Sequence, residues 1–186
     1  YRVNYPTLDA GPVKVESTDN KKIVVALREM WNNQANGTVL STSFAQIMGV
    51  PAEQLSDTYY LPHYNDLSPF LDAQLRIANV DATAATVAIT IGGVLRETVN
   101  INPGASYRVN YPTLDAGPVK VESTNDKKIV VALREMWNNQ ASGTILSTSF
   151  TQLMGLPAEA LSTTYYLPHY NDLSPFLDDQ LRFGVP

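Results

Sequence analysis

The sequence predicts a mostly all-β protein made of tandem antiparallel β-sandwich domains of Ig-like type, with one short helical excursion per repeat. Three observations lead there. Residues 1–76 match residues 107–182 at an offset of 106, and ten of the 76 aligned pairs differ. Apolar and polar residues alternate with a period of two over several short runs. Gly, Pro, Asn and Asp divide those runs at regular spacing, as the turns of a sandwich require.

The repeat sets the domain organisation. Its differences are mild: Val39 against Ile145, Ile47 against Leu153, Val50 against Leu156, Asp19 and Asn20 against Asn125 and Asp126. Apolar positions exchange for apolar ones, which keeps core volume and pattern. A period near 106 residues is too long for a solenoid and suits one autonomous sandwich. The 186 residues do not hold a whole number of periods, because the segment 77–106 occurs once. The phasing read from this places the C-terminal part of a first unit at 1–57 and a complete unit at 58–162. Residues 163–186 then form the N-terminal segment of a further unit, suited to completing a neighbouring subunit. Sheets divided in this way have open edges, and open edges recruit strands.

Within one period the elements follow in order. The runs 23–31 and 129–137 are apolar on both faces at their start, which predicts a central strand covered on both sides. Asn36-Gly37, or Ser142-Gly143 in the second copy, then gives a tight turn. Ser43 is placed to cap a short helix with Phe44, Ile47 and Met48 on one face, closed by Gly49 and Pro51. A second helical turn is read over 51–55 with proline at its first position. Tyr59, Tyr60, Leu61, Pro62, His63 and Tyr64 form an aromatic extended segment. Leu75 and Ile77 lie on a strand, with a turn after Asn79. Val87, Ile89 and Ile91, then Leu95, Val99 and Ile101, predict a hairpin about Gly92-Gly93, with Glu97 on the apolar side of its strand. Extended segments over 107–111 and 119–122 follow the turns at Pro103-Gly104 and Ala116-Gly117-Pro118.

Composition narrows the function classes. The net charge is −5, and the 13 Lys and Arg are scattered, so no basic stripe faces a nucleic acid. No cysteine is present, which removes disulfide frameworks, thiolate metal sites and cysteine nucleophiles, and leaves the redox compartment open. The longest apolar stretches are far short of the roughly 20 residues a membrane helix needs, so no membrane insertion is expected. The first residues carry no basic and apolar leader pattern, so a targeting signal is expected upstream or already removed.

The runs YYLPHYNDLSPFLDAQLRIANVDATAATVAITIGG, PGASYRVNYPTLDAGPVKVEST and STSFAQIMGVPAEQL cover nearly one period. Together they resemble repeated domains of uncharacterised large surface proteins of filamentous bacteria. The resemblance implies secreted, tandemly arrayed, β-rich domains and implies no activity. His63 and His169 stand where that pattern tends to carry another aromatic.

Several side chains are candidates for chemistry. His63 and His169 are the two histidines, each the counterpart of the other, and a lone histidine per unit favours a structural role over zinc or a triad. Asn65, Asp66 and Asp72 offer oxygens to calcium, but their spacing fits no calcium loop, and turns and strand ends explain them. Tyr59, Tyr60 and Tyr64 with Trp31, and the tyrosine counterparts Tyr165, Tyr166 and Tyr170, form a candidate aromatic platform for sugar rings; core packing is the competing reading. Arg28-Glu29 and Arg134-Glu135 put charges in the most apolar strand, where neighbours face opposite sides and must find cross-strand or inter-domain partners. No second acid is identified beside either glutamate. Asn36-Gly37-Thr38 is a candidate glycan acceptor that the second copy lacks.

These readings predict no catalytic residue, no metal and no cofactor. The expected function is a structural subunit of an extracellular bacterial fibre, sheath, stalk or surface layer, assembling head-to-tail into a homopolymer through shared strands. The alternative is an adhesive module that binds surface polysaccharide through the tyrosine-rich segment.

Overall fold

A computed structural model describes residues 2–35, 37–67, 70–141, 144–173 and 179–186. The described chain is mostly β, with antiparallel pairing throughout and a sandwich-like core. Its strands are β1 (Ala26–Ala35), β2 (Thr38–Met48), β3 (Thr58–Leu61), β4 (Tyr64–Asn65), β5 (Leu71–Asn79), β6 (Ala85–Ile91) and β7 (Val94–Ile101). They continue as β8 (Ser106–Val109), β9 (Asp115–Ala116), β10 (Val119–Ser123), β11 (Ile129–Ala141), β12 (Thr144–Met154) and β13 (Leu156–Pro157). Single 3-10 turns span Ala52–Gln54 and Ala158–Ala160.

Two sheets face each other across one core. The first has the order β13-β3-β10-β6-β7 and the second β12-β11-β5-β8. Alternation decides which side chains meet: Val87, Ile89 and Ile91 of β6, Val119 and Val121 of β10, and Tyr59 and Leu61 of β3 point inward from one sheet. Ala73, Leu75 and Ile77 of β5 and Ile129, Val131 and Leu133 of β11 meet them from the other. Each large side chain buried there contributes about 1.5–3 kcal/mol relative to exposure.

β11 is the central strand that its apolar run predicts, joined to β12 on one edge and to β5 on the other. Gly92 and Gly93, at φ 59° and 75°, close the β6–β7 hairpin in the doubly positive turn that matches strand twist. A register shift between Ile89 and Thr90 brings Glu97 opposite Ile89, which explains a carboxylate on the apolar side of β7. A Cβ on Gly117 would fall on the Pro62 carbonyl oxygen, so only glycine lets these two segments cross.

The structure corrects four expectations. Ser43, Phe44, Ile47 and Met48 form no helix; they lie in β2, whose ladder with β1 runs to Ala26↔Met48. A helix this short has too few bonds to repay nucleation, whereas Thr, Phe and Ile suit a ladder already begun at Thr38. The helical excursion that remains is the 3-10 turn after Pro51, which caps it rather than opening it. The first-copy run 23–31 is not covered on both sides: β1 pairs with β2 alone, in a two-stranded sheet. Residues 2–25 form no strand, although 106–109 and 119–123 of the other copy do.

The β1–β2 hairpin lies on the outer side of β11 and β12, where Ala45 packs with Met136 and Phe150. Polar contacts tie it there: Gln152 Nε2 donates to Glu29 at 2.9 Å, and Arg76 Nη1 reaches the same carboxylate at 2.9 Å.

Leu75→Ala is predicted to destabilise the chain by about 2–5 kcal/mol in urea denaturation, the cost of a core cavity. In dilute protein the matching change Leu181→Ala is predicted to stay within about 0.5 kcal/mol.

Candidate functional site

The tyrosine-rich segment 59–64 is a structural clasp. Tyr59 and Tyr64 are buried, so neither presents a ring face to a sugar. Tyr60 is half-buried on β3, between Lys120 of β10 and Leu156 of β13. The Tyr64 hydroxyl donates to the Ala73 carbonyl at 2.7 Å and accepts from the Tyr111 amide at 2.7 Å. It thereby links β4, β5 and the loop after β8. Tyr111 meets Tyr64 edge-on, with ring centroids 5.8 Å apart. The Tyr59 hydroxyl accepts from the Ser56 amide at 3.2 Å.

The same segment in the second copy keeps these local bonds without the sheet around it. Tyr170 donates to the Asp179 carbonyl at 2.9 Å, as Tyr64 does to Ala73. The Ser162 amide donates to Tyr165 at 2.9 Å, and Thr164 N to Ser162 Oγ at 3.2 Å, as in the 56–59 turn. Burial is what differs: Tyr59, Leu75 and Val119 are 0% exposed, against 60%, 61% and 75% for their counterparts Tyr165, Leu181 and Val13. Tyr165, Tyr166 and Tyr170 therefore stand on the surface, while two of the three tyrosines they match are in the core. Trp31, placed by sequence with this platform, sits on the β1–β2 hairpin instead.

The described residues of 2–57 show the same pattern. Lys21 N donates to Ser17 Oγ at 3.1 Å, and Lys127 N to Ser123 Oγ at 3.1 Å. Gly49 N donates to the Val25 carbonyl at 2.9 Å, and Gly155 N to Val131 at 2.9 Å. Thr7 and Thr113 share a left-handed φ of 66° and 67°. The exposed apolar side chains of these two segments, which keep their local bonds, are the candidate functional site.

The remaining candidates find ordinary partners. His63 Nε2 lies 2.7 Å from Asp115 Oδ1, beside the β4–β9 bridge. Asn65 Oδ1 accepts from Leu67 N at 3.1 Å, and Asp66 Oδ1 from Ala73 N at 3.4 Å. Asp72 Oδ1 accepts from Asn110 at 2.8 Å and lies 3.8 Å from Arg134. Among the described residues, no His, Asp and Glu cluster gathers a metal-binding set. Glu29 pairs with Arg76, and Glu135 lies 3.7 Å from Arg182, so both glutamates meet arginines from the 71–79 strand or its counterpart. Asn36 lies outside the described residues.

Sequence reasoning missed the roles of Tyr107 and Tyr111. Both donate to Glu97, at 3.0 Å and 2.5 Å, and so give the misplaced carboxylate its partners. The signal was present in Glu97 itself, a charge on an apolar face that must be hydrogen-bonded. Burial, then the hydrogen bond and charge of Glu97, push the Tyr111 phenol well above the ordinary tyrosine range.

No family model matches the chain, and no curated protein does either. Among solved structures, the crystal structure of Thermotoga maritima 1070 is similar to it at 16% identity and a TM-score of 0.44, covering 57% of this chain and 97% of that one. So distant a likeness says nothing of what the chain does.

Tyr111 stays protonated in the folded chain where an unfolded tyrosine ionises, so its contribution to stability is complete below pH about 10 and is lost as pH rises beyond it. Thermal melts are predicted to show that alkaline loss. Tyr111→Phe should lower stability by about 1 kcal/mol at neutral pH and flatten the decline above pH about 10. An equally steep decline in the variant would contradict the assignment.

Proposed function

We propose that this chain is a structural repeat module of an extracellular bacterial fibre, sheath, stalk or surface layer, whose neighbouring units share strands head-to-tail. The observation that carries this reading is that one amino-acid pattern is buried in the unit around 58–162 and exposed, with its local bonds kept, among the described residues of 2–57, 163–173 and 179–186. Unpaired strands with apolar faces are a template for pairing with another chain. A heterologous contact of this kind propagates without closing. On this reading the chain is not an enzyme, binds no cofactor, and has other copies of the repeat as its partner. Whether the neighbouring unit lies in the same polypeptide or another, it offers the same surface.

A second reading, attachment to surface polysaccharide, is favoured by the exposure of Tyr165, Tyr166 and Tyr170. Strand sharing would bury Tyr165 and Tyr170 as it buries Tyr59 and Tyr64, so the two readings compete for the same residues.

Negative-stain electron microscopy and light scattering across a concentration series separate them. Filaments with an axial repeat shorter than two complete units are expected. Uniform monomers at every concentration, with binding on a glycan array, would replace the structural reading with the adhesive one.

A further inference from the structure

We infer that residues 179–185 of one copy of this chain add as a strand to the free edge of β1 in a second copy, in the register that joins β5 to β11. The inference rests on the strand-sharing reading above and names the surface and alignment that reading leaves open.

The acceptor is an edge of known preference. Residues 23–31 repeat 129–137 residue for residue, and 129–137 hold β5 through pairs that include Val131↔Ile77, Leu133↔Leu75 and Arg134↔Gln74. The donor repeats the strand they hold: Gln180, Leu181 and Arg182 match Gln74, Leu75 and Arg76, with Phe183 in the place of Ile77. Carried over, the pairs are Val25↔Phe183, Ala26↔Arg182, Leu27↔Leu181 and Arg28↔Gln180. A slip by one residue would turn Leu181 and Phe183 away from the core face, so the pattern itself specifies the register.

Both sides are prepared for the contact. The Tyr170–Asp179 bond already fixes the start of the donor strand, and the β1–β2 ladder fixes the acceptor, which lowers the ordering cost of association. Nearby positions follow suit: Val13 and Val15 match the β10 residues that pair with Leu61 and Tyr59, whose counterparts in the donor are Leu167 and Tyr165. Asp9 matches Asp115, the partner of His63, and His169 is the donor's histidine. In the structure Arg108 holds Asp9 at 3.0 Å, so docking exchanges one exposed pair for another. The composite would place counterparts of β12, β11 and β5 side by side.

One pair opposes the register. Asp179 replaces the buried Ala73, and its place is opposite Glu29, as Ala73 is opposite Glu135. Like charges directly across an antiparallel pair are destabilising. Asp179→Ala, which restores the residue of the complete unit, is therefore expected to lower the concentration for half-assembly by about threefold. An unchanged or raised concentration would count against the register.

The decisive experiment uses the absence of native cysteine. Leu27→Cys and Leu181→Cys chains, both changed at exposed positions, are mixed and oxidised, and mass-tagged dimers are counted. Facing residues on antiparallel strands are near enough for a disulfide. The 27–181 mixed dimer is expected to exceed both homodimers, and to exceed a 27–180 control pair by about tenfold, because residue 180 points to the other face. If light scattering shows assembly but the mixed dimer does not prevail, copies join by another surface and the inference falls while the structural reading stands. If no assembly occurs at any concentration, the structural reading falls and the inference with it.

Discussion

A β-strand buried in a sheet must satisfy hydrogen-bonding groups along both its edges, and this requirement at β11 organises the protein. β11 meets it with β12 on one side and β5 on the other, and β5 in turn receives β8. That four-stranded sheet can then bury Leu133, Val131 and Leu75 against the facing sheet. The Tyr64 clasp, the Glu97 network and the His63–Asp115 contact lie around this arrangement and hold its loops. None of them gives β1 the second strand neighbour that β5 gives β11.

The internal repeat makes that dependence visible within one molecule. Identical residues at 23–31 and 129–137 have identical propensities, yet only the second copy is mid-sheet. Local bonds survive in both copies, from the Ser17 and Ser123 turns to the Tyr165 and Tyr59 contacts. Short-range hydrogen bonds thus come from the segment itself, whereas burial comes from its neighbours. The hairpin β1–β2, without its own facing sheet, covers part of the outer face of β11 and β12 through Ala45 and Glu29.

Much of this was legible in the amino-acid pattern where one period-two run met one clear turn. The Gly92-Gly93 hairpin and the mid-sheet place of β11 were readable because glycine and doubled apolar faces have few other meanings. Residues 43–48 were misread because a short run with Phe44, Ile47 and Met48 fits both periods; the cross-strand partner that decides between them is distant in sequence. The tyrosines looked alike in sequence and differ in space, since Tyr64 is placed by Ala73 and Tyr111 while Tyr60 lies half-buried on the same segment. The Glu97 network was half legible: the charge announced a need for partners, but only the fold brings Tyr107 and Tyr111 to it.

The most direct test of the account is amide hydrogen exchange followed by NMR in dilute and concentrated protein. The account predicts strong protection at the β11 amides that face β5, and none at their β1 counterparts when dilute. On concentration, protection should spread to those β1 amides and to residues 180–183 together. Equal protection of both copies in dilute protein, or assembly that leaves the β1 edge unprotected, would contradict the claim that a missing strand neighbour separates the two states of one sequence.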